Sequence, residues 1–169
     1  MRIRPALATT AALSVSALAA VALLGAAPAY ATEYSSALKV RGVQYNFAER
    51  NDNRCSGGNT YKEYVTIKNY SGSATINLKG YKVKDATGNT FTFTKNHYLQ
   101  PGDYVRLRGG NGTDSDANNV VYRDNCNFMW NNDKDTIYLY KPSGSHADTH
   151  AYTKSGNDAD GNGYIGFHG

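Results

Sequence analysis

The sequence predicts an all-β fold, a β-sandwich of about seven to nine short strands. Three observations carry that reading. Beyond residue 31, no stretch of a dozen residues repeats its apolar positions at helical spacing. Apolar and polar residues alternate instead, in short runs bounded by Gly, Pro, Asn, Asp and Ser. The length left after residue 31 suits one domain, burying about two-thirds of the surface its unfolded chain would expose.

The chain opens with MRIRPALATTAALSVSALAAVALLGAAPAYA, two arginines, a long Ala/Leu/Val run and the small-x-small triplet Ala29-Tyr30-Ala31. This is the pattern of a secretory signal peptide over residues 1–31, so the mature protein is expected to start at Thr32, outside the cell and without stable membrane insertion. The rival is a retained anchor, since the apolar run is nearly long enough to cross a bilayer. The sandwich domain is assigned to residues 32–153. Residues 154–169 form a Gly/Asp/Asn-rich tail, where apolar alternation stops.

Each strand has its own pattern. LKVRGVQYNF points Leu38 and Val40 inward, then Val43, Tyr45 and Phe47 after a change of phase at Gly42, which predicts a bulge. The loop NDNRCSGGNTYK precedes EYVTIKN, which turns Val65 and Ile67 inward. ATINLKGYKVKD carries Ile76 and Leu78, then Tyr81 and Val83 beyond Gly80. NTFTFTK presents Phe91 and Phe93 on one face, and the Pro-Gly turn of LQPGDYVRLRGG leads to Val105 and Leu107. NNVVYRD is short, DTIYLYK points Ile137 and Leu139 inward, and HADTHAYT follows the turn Pro142-Ser143-Gly144-Ser145.

The net charge of +4 falls to +2 once Arg2 and Arg4 leave with the leader, so charge alone does not imply strong polyanion binding. Cys55 and Cys126 are the two cysteines. In an oxidising compartment they read as one disulfide, contributing on the order of 4 kcal/mol by closing so long a loop. Neither has a neighbouring His or a helix start to lower its pKa, which argues against a nucleophile.

The sequence carries no recognised catalytic motif. GNGYIG, Gly161 to Gly166, matches the dinucleotide fingerprint in letters only, because it follows no strand and opens no helix. There is no G-x-S-x-G and no H-E-x-x-H, and Glu33, Glu49 and Glu63 are scattered. HADTH places His146, Asp148 and His150 on one strand face, the residue set of a two-histidine, one-carboxylate metal site. On a regular strand the outer two lie about 13 Å apart, too far for one ion, so a solvated face is expected.

Lys39, Arg41, Lys82, Lys84, Arg106 and Arg108 alternate with buried positions, and would form one basic stripe if their strands were neighbours. Such a stripe suits an anionic polymer; the plainer reading is solubilising charge. Tyr64, Tyr98, Tyr104, Tyr138 and Tyr140 also take outward phases, suited to sugar or protein contacts or to cross-strand pairing. In the tail, Asp158, Asp160 and Asn162 hold positions 1, 3 and 5 of a D-x-D-x-N-G calcium loop, with Gly163 at the turn and the Tyr164 carbonyl at position 7. The twelfth position is Gly169 rather than Glu, so calcium, the one cofactor the sequence suggests, would bind weakly or not at all.

Glu63-Tyr-Val-Thr-Ile-Lys-Asn69, Asn77-Leu-Lys-Gly-Tyr81 with Asp85 and Gly88, Leu99-Gln-Pro-Gly102, and Trp130-Asn-Asn132 with Asp135-Thr-Ile-Tyr-Leu139 together resemble the lamin tail domain. The resemblance spans about Leu38 to Tyr152. It implies an immunoglobulin-like β-sandwich and, in bacteria, a secreted module without a known catalytic site. Beside it, the residues have physical readings. Trp130, the single tryptophan, is expected to close one end of the core near Cys126. Asn131, Asn132 and Asp133 would tolerate left-handed backbone before the strand that Asp135 opens. Lys134 stands where the family commonly has glycine. The functional expectation is a non-catalytic binding or structural module meeting an extracellular or cell-envelope polymer or protein. The alternative is a small secreted hydrolase, which requires a pocket of convergent ionisable groups.

Overall fold

The computed structural model describes residues 36–46, 54 and 58–168. The leader, Phe47, Cys55 and Gly169 lie outside the described residues. Among the described residues, eleven strands are formed. They are β1 (Leu38–Gln44), β2 (Tyr64–Asn69), β3 (Ile76–Asn77), β4 (Lys82–Lys84), β5 (Thr90–Thr92), β6 (Tyr98–Leu99), β7 (Tyr104–Arg108), β8 (Val120–Tyr122), β9 (Lys134–Tyr140), β10 (His146–Thr153) and β11 (Tyr164–Gly166). One sheet runs β11-β1-β2-β7-β8 and the other β10-β9-β4-β5, with β3 and β6 paired separately. All pairings are antiparallel except β7 with β8.

The alternation read from the sequence is the alternation of burial. Val40, Val43, Val65, Ile67, Val83, Val105, Leu107, Ile137 and Leu139 all point into one core between the sheets. Burying each such side chain contributes about 1.5–3 kcal/mol. The phase change at Gly42 is a real irregularity: the β1–β2 register shifts between Val40 and Gly42. A side chain there would collide with the Tyr164 hydroxyl and the Ile165 carbonyl, so glycine is required for close approach of β11.

Polar residues on the inward phase pin the strand ends. Asn69 continues the phase of Val65 and Ile67, and its buried amide donates to the carbonyls of Ala74 at 2.7 Å and Leu99 at 3.0 Å. Its carbonyl accepts from Gly102, tying β2 to the Pro-Gly turn ahead of β7. Asp85 continues the phase of Val83 and accepts from the backbone N–H of Gly88 and Asn89, both at 2.7 Å.

The C-terminal segment departs from expectation. A one-turn helix, α1 (Lys154–Asn157), is capped by Thr153, whose hydroxyl accepts from Gly156 N. The chain then forms β11, which pairs with β1 and buries Ile165. The segment is therefore an edge strand of the larger sheet. Its single inward residue, set among glycines, is too short a pattern for alternation to register.

Candidate functional site

β1, β2 and β7 lie side by side, so their outward residues form one surface. β1 supplies Lys39 and Arg41, β2 supplies Tyr64 and Lys68 with Thr66 buried between them, and β7 supplies Tyr104, Arg106 and Arg108. Register sets Tyr64 opposite Arg108, Thr66 opposite Arg106 and Lys68 opposite Tyr104. The Arg106 guanidinium lies 5.4 Å from both the Tyr64 and Tyr104 ring centroids, and Arg108 lies 5.3 Å from that of Tyr64. Lys68 sits 4.9 Å from the Tyr70 ring. These are cation–π distances. Among the described residues, none of Lys39, Arg41, Lys68, Arg106 and Arg108 forms an ion pair. Lys39 still lies close enough to Asp148 to help hold that carboxyl below its ordinary range.

The other half of the expected stripe is elsewhere. Lys82 and Lys84 are on β4, in the opposite sheet from Arg106 and Arg108, and face outward on the far side of the sandwich. Alternation assigns inside and outside but not which strands are neighbours, and the condition that these strands be adjacent fails. The two lysines instead pair with Tyr140 and Tyr138 of β9. Those rings stack on each other at 6.2 Å, and His146 packs 4.4 Å from Tyr140. Tyr98 is exposed on β6.

The motif residues are structural. Trp130 is 2% exposed. Its backbone N–H and that of Met129 donate to the carboxylate of buried Glu63, at 2.9 and 2.6 Å. Arg123 approaches the same carboxylate at 4.0 Å, and burial lowers the pKa of its guanidinium against the pull of Glu63. Buried Asp135 accepts from the N–H groups of Ala86, Asn131 and Thr136. Asn132 is exposed, and the left-handed backbone expected around it does not occur: among the described residues, the non-glycine residues with positive φ are Asn119 and Asp124. Lys134 accordingly opens β9 without the strain that a glycine-specific turn would impose. Cys126 is not a free thiol, and its expected partner Cys55 lies outside the described residues.

The acidic tail residues accept hydrogen bonds from the protein's own donors through part of their oxygens. Asp158 is buried, and its Oδ2 accepts from the Tyr45 hydroxyl at 2.6 Å and from Gly163 N at 3.1 Å. The Tyr45 hydrogen bond leads in holding its carboxyl below the ordinary range. Asp160 accepts from the Asn162 amide, and Asn162 Oδ1 from Tyr164 N. These contacts dock β11 and close the turn ahead of it, while the second carboxylate oxygen of Asp158, Oδ1, is buried without a hydrogen-bond partner.

A third histidine completes what HADTH began. The β10–β9 register shifts between His146 and Asp148, and His146 hydrogen-bonds Thr149 Oγ1. His168, just beyond β11, arrives from the other sheet instead. Its Nε2 lies 3.0 Å from His150 Nε2 and 3.4 Å from Asp148 Oδ2, while His150 Nε2 lies 3.1 Å from Asp148 Oδ2. Eighteen residues separate the two histidines in sequence, so no local motif announces the cluster.

A pocket lined by Phe91, Phe93, Lys95, His97, Asp114 and Asp116 is the place to look for hydrolytic machinery. His97 Nδ1 meets Asp116 Oδ1 at 2.6 Å, the base-and-orienter half of a triad. Its Nε2, however, is buried and makes no hydrogen bond, so among the described residues no hydroxyl or thiol is placed against it for activation.

The fold is an immunoglobulin-like sandwich with strand ends pinned by buried Glu63, Asn69, Asp85 and Asp135. Residues 33–154 match the family model described as Lamin Tail Domain, and the chain belongs to that family. Comparison with curated proteins finds no match.

Proposed function

We propose that the protein is a secreted, non-catalytic module that holds a phosphate-bearing anionic polymer of the extracellular space or cell envelope against the outer face of its five-stranded sheet. The observation that carries this reading is the interleaving of Arg106, Arg108 and Lys68 with Tyr64, Tyr104 and Tyr70, with no described acid paired to the cations. The rings hold the guanidinium groups over the sheet, so little side-chain freedom is lost when phosphate is bound. Exposed ring surface also offers stacking to sugars or bases.

Three features support the rest of the reading. The leader directs the chain outward. A Cys55–Cys126 disulfide would suit that compartment, and native free-thiol labelling tests it, with substantial labelling of either residue counting against it. Membership of the lamin tail domain family, whose members are generally non-catalytic immunoglobulin-like modules, supports a non-catalytic role.

The binding test uses long-chain inorganic polyphosphate, a single-stranded oligonucleotide and a neutral glucan in parallel. The expected outcome is retention of the first two, weakening linearly in log affinity with log salt, and no retention of the glucan. Glucan binding that ignores salt, or no binding to either polyanion at low salt, contradicts the proposal.

A further inference from the structure

The geometry points to a divalent transition-metal site, zinc being the first candidate, formed by Asp148, His150 and His168 at the seam between the two sheets. The ligand atoms Asp148 Oδ2, His150 Nε2 and His168 Nε2 form a triangle with sides of 3.0, 3.1 and 3.4 Å. An ion about 2.1 Å from each ligand spaces them roughly 3.0 Å apart in octahedral and roughly 3.4 Å apart in tetrahedral coordination. The triangle already has that size.

The two imidazoles meet Nε2 to Nε2. A proton between them satisfies one edge of the triangle, whereas a cation accepts lone pairs from all three corners at once. Two imidazoles with one carboxylate select zinc and its neighbours rather than calcium, which wants six to eight oxygens.

The ligands are held by their surroundings. Val40 N, from β1, donates to Asp148 Oδ2 at 2.8 Å and so fixes the orientation of the carboxylate. The His150 ring stacks on Phe167 at 4.4 Å with planes 13° apart, and stands edge-on to His168. His168 packs edge-on against Tyr70. The side chains of Asp148, His150 and His168 are 8%, 22% and 30% exposed, so the site is lined by protein but reachable from solvent. A bound ion would join β10, at the edge of the four-stranded sheet, to the segment that follows β11 in the five-stranded sheet, and so cross-link the sandwich.

The test is titration of untagged protein, purified from cells expressing the full chain and stripped with chelator, with zinc followed by calorimetry and thermal melting. One zinc per chain and a melting temperature raised by several degrees are expected. His168→Ala and His150→Ala should each weaken binding about tenfold or more, while His146→Ala, at a histidine outside the triangle, should leave it unchanged. Cobalt provides a readout that needs no variant: visible d–d bands of a low-symmetry nitrogen-oxygen site are expected. Absence of zinc uptake, zinc uptake that survives loss of either histidine, or a cobalt spectrum like that of the aqueous ion would overturn the proposal. Polyanion retention by the metal-free protein is measured in the same preparations, so the two proposals stand or fall separately.

Discussion

The outer faces of the two sheets carry the same residue types in different arrangements. On the five-stranded sheet the rings pair with cations: Tyr64 and Tyr104 flank Arg106, and Tyr64 also meets Arg108. On the four-stranded sheet the rings pair with one another, Tyr138 on Tyr140 with His146 against both. The second arrangement is cross-strand and along-strand packing, worth some tenths of a kcal/mol per pair. The first holds positive charge in a fixed place. Composition alone does not make a binding face; what matters is which residue lies opposite which, and that is set by register.

The variant expected to break the comparison most strongly removes the anchor of the five-stranded face. Glu63→Ala leaves the N–H groups of Met129 and Trp130 without their acceptor and removes the stronger of the two carboxylates that act on Arg123, just where β2 begins. A loss of about 3–5 kcal/mol is expected in denaturant unfolding. Second is Arg106→Glu with Arg108→Glu, which should reduce polyphosphate affinity at low salt by at least about tenfold and flatten its log–log salt slope by about 2, with the unfolding midpoint little changed. Tyr64→Leu, which removes the ring shared by both arginines, should weaken binding by about 1 kcal/mol, read by calorimetry.

A pH profile probes the seam that docks β11. The Asp158 carboxyl is held below its ordinary value of 3.8, first by the Tyr45 hydroxyl. A depressed folded-state pKa contributes stability that is present above the unfolded value and is lost as the pH falls through the folded one. Asp158→Asn should therefore show a shallower loss of stability below about pH 4 than the parent, measured by thermal melts in a pH series. The smallest effect is expected from Lys82→Glu with Lys84→Glu: polyphosphate affinity within about twofold of the parent, since these charges lie across the sandwich, beyond a Debye length of about 8–10 Å.

Much of the fold was legible because inward phase is a local property. Val65 and Ile67, or Ile137 and Leu139, declare it within one strand. The same phase also marks Glu63, Asn69, Asp85 and Asp135, each one step beyond an inward hydrophobe in its strand. Charged residues are seldom buried, so composition speaks against reading them as interior; the signal that could have found them is phase, with backbone N–H groups at the strand ends to satisfy them. β11 stayed hidden because Ile165 is its single inward residue. The metal triangle stayed hidden because His168 reaches Asp148 only through the pairing of β11 with β1, a long-range event without local trace. The basic stripe was half legible: outwardness was read correctly for Lys82 and Arg106 alike, but sheet membership separates them.

Amide-resolved NMR of the protein titrated with polyphosphate tests the functional claim most directly, because it reports both outer faces in one experiment. Shifts concentrated on Tyr64–Lys68 and Tyr104–Arg108, fading with added salt, are the predicted result. Shifts centred on Lys82–Lys84 and Tyr138–Tyr140, or none on either sheet, would contradict it.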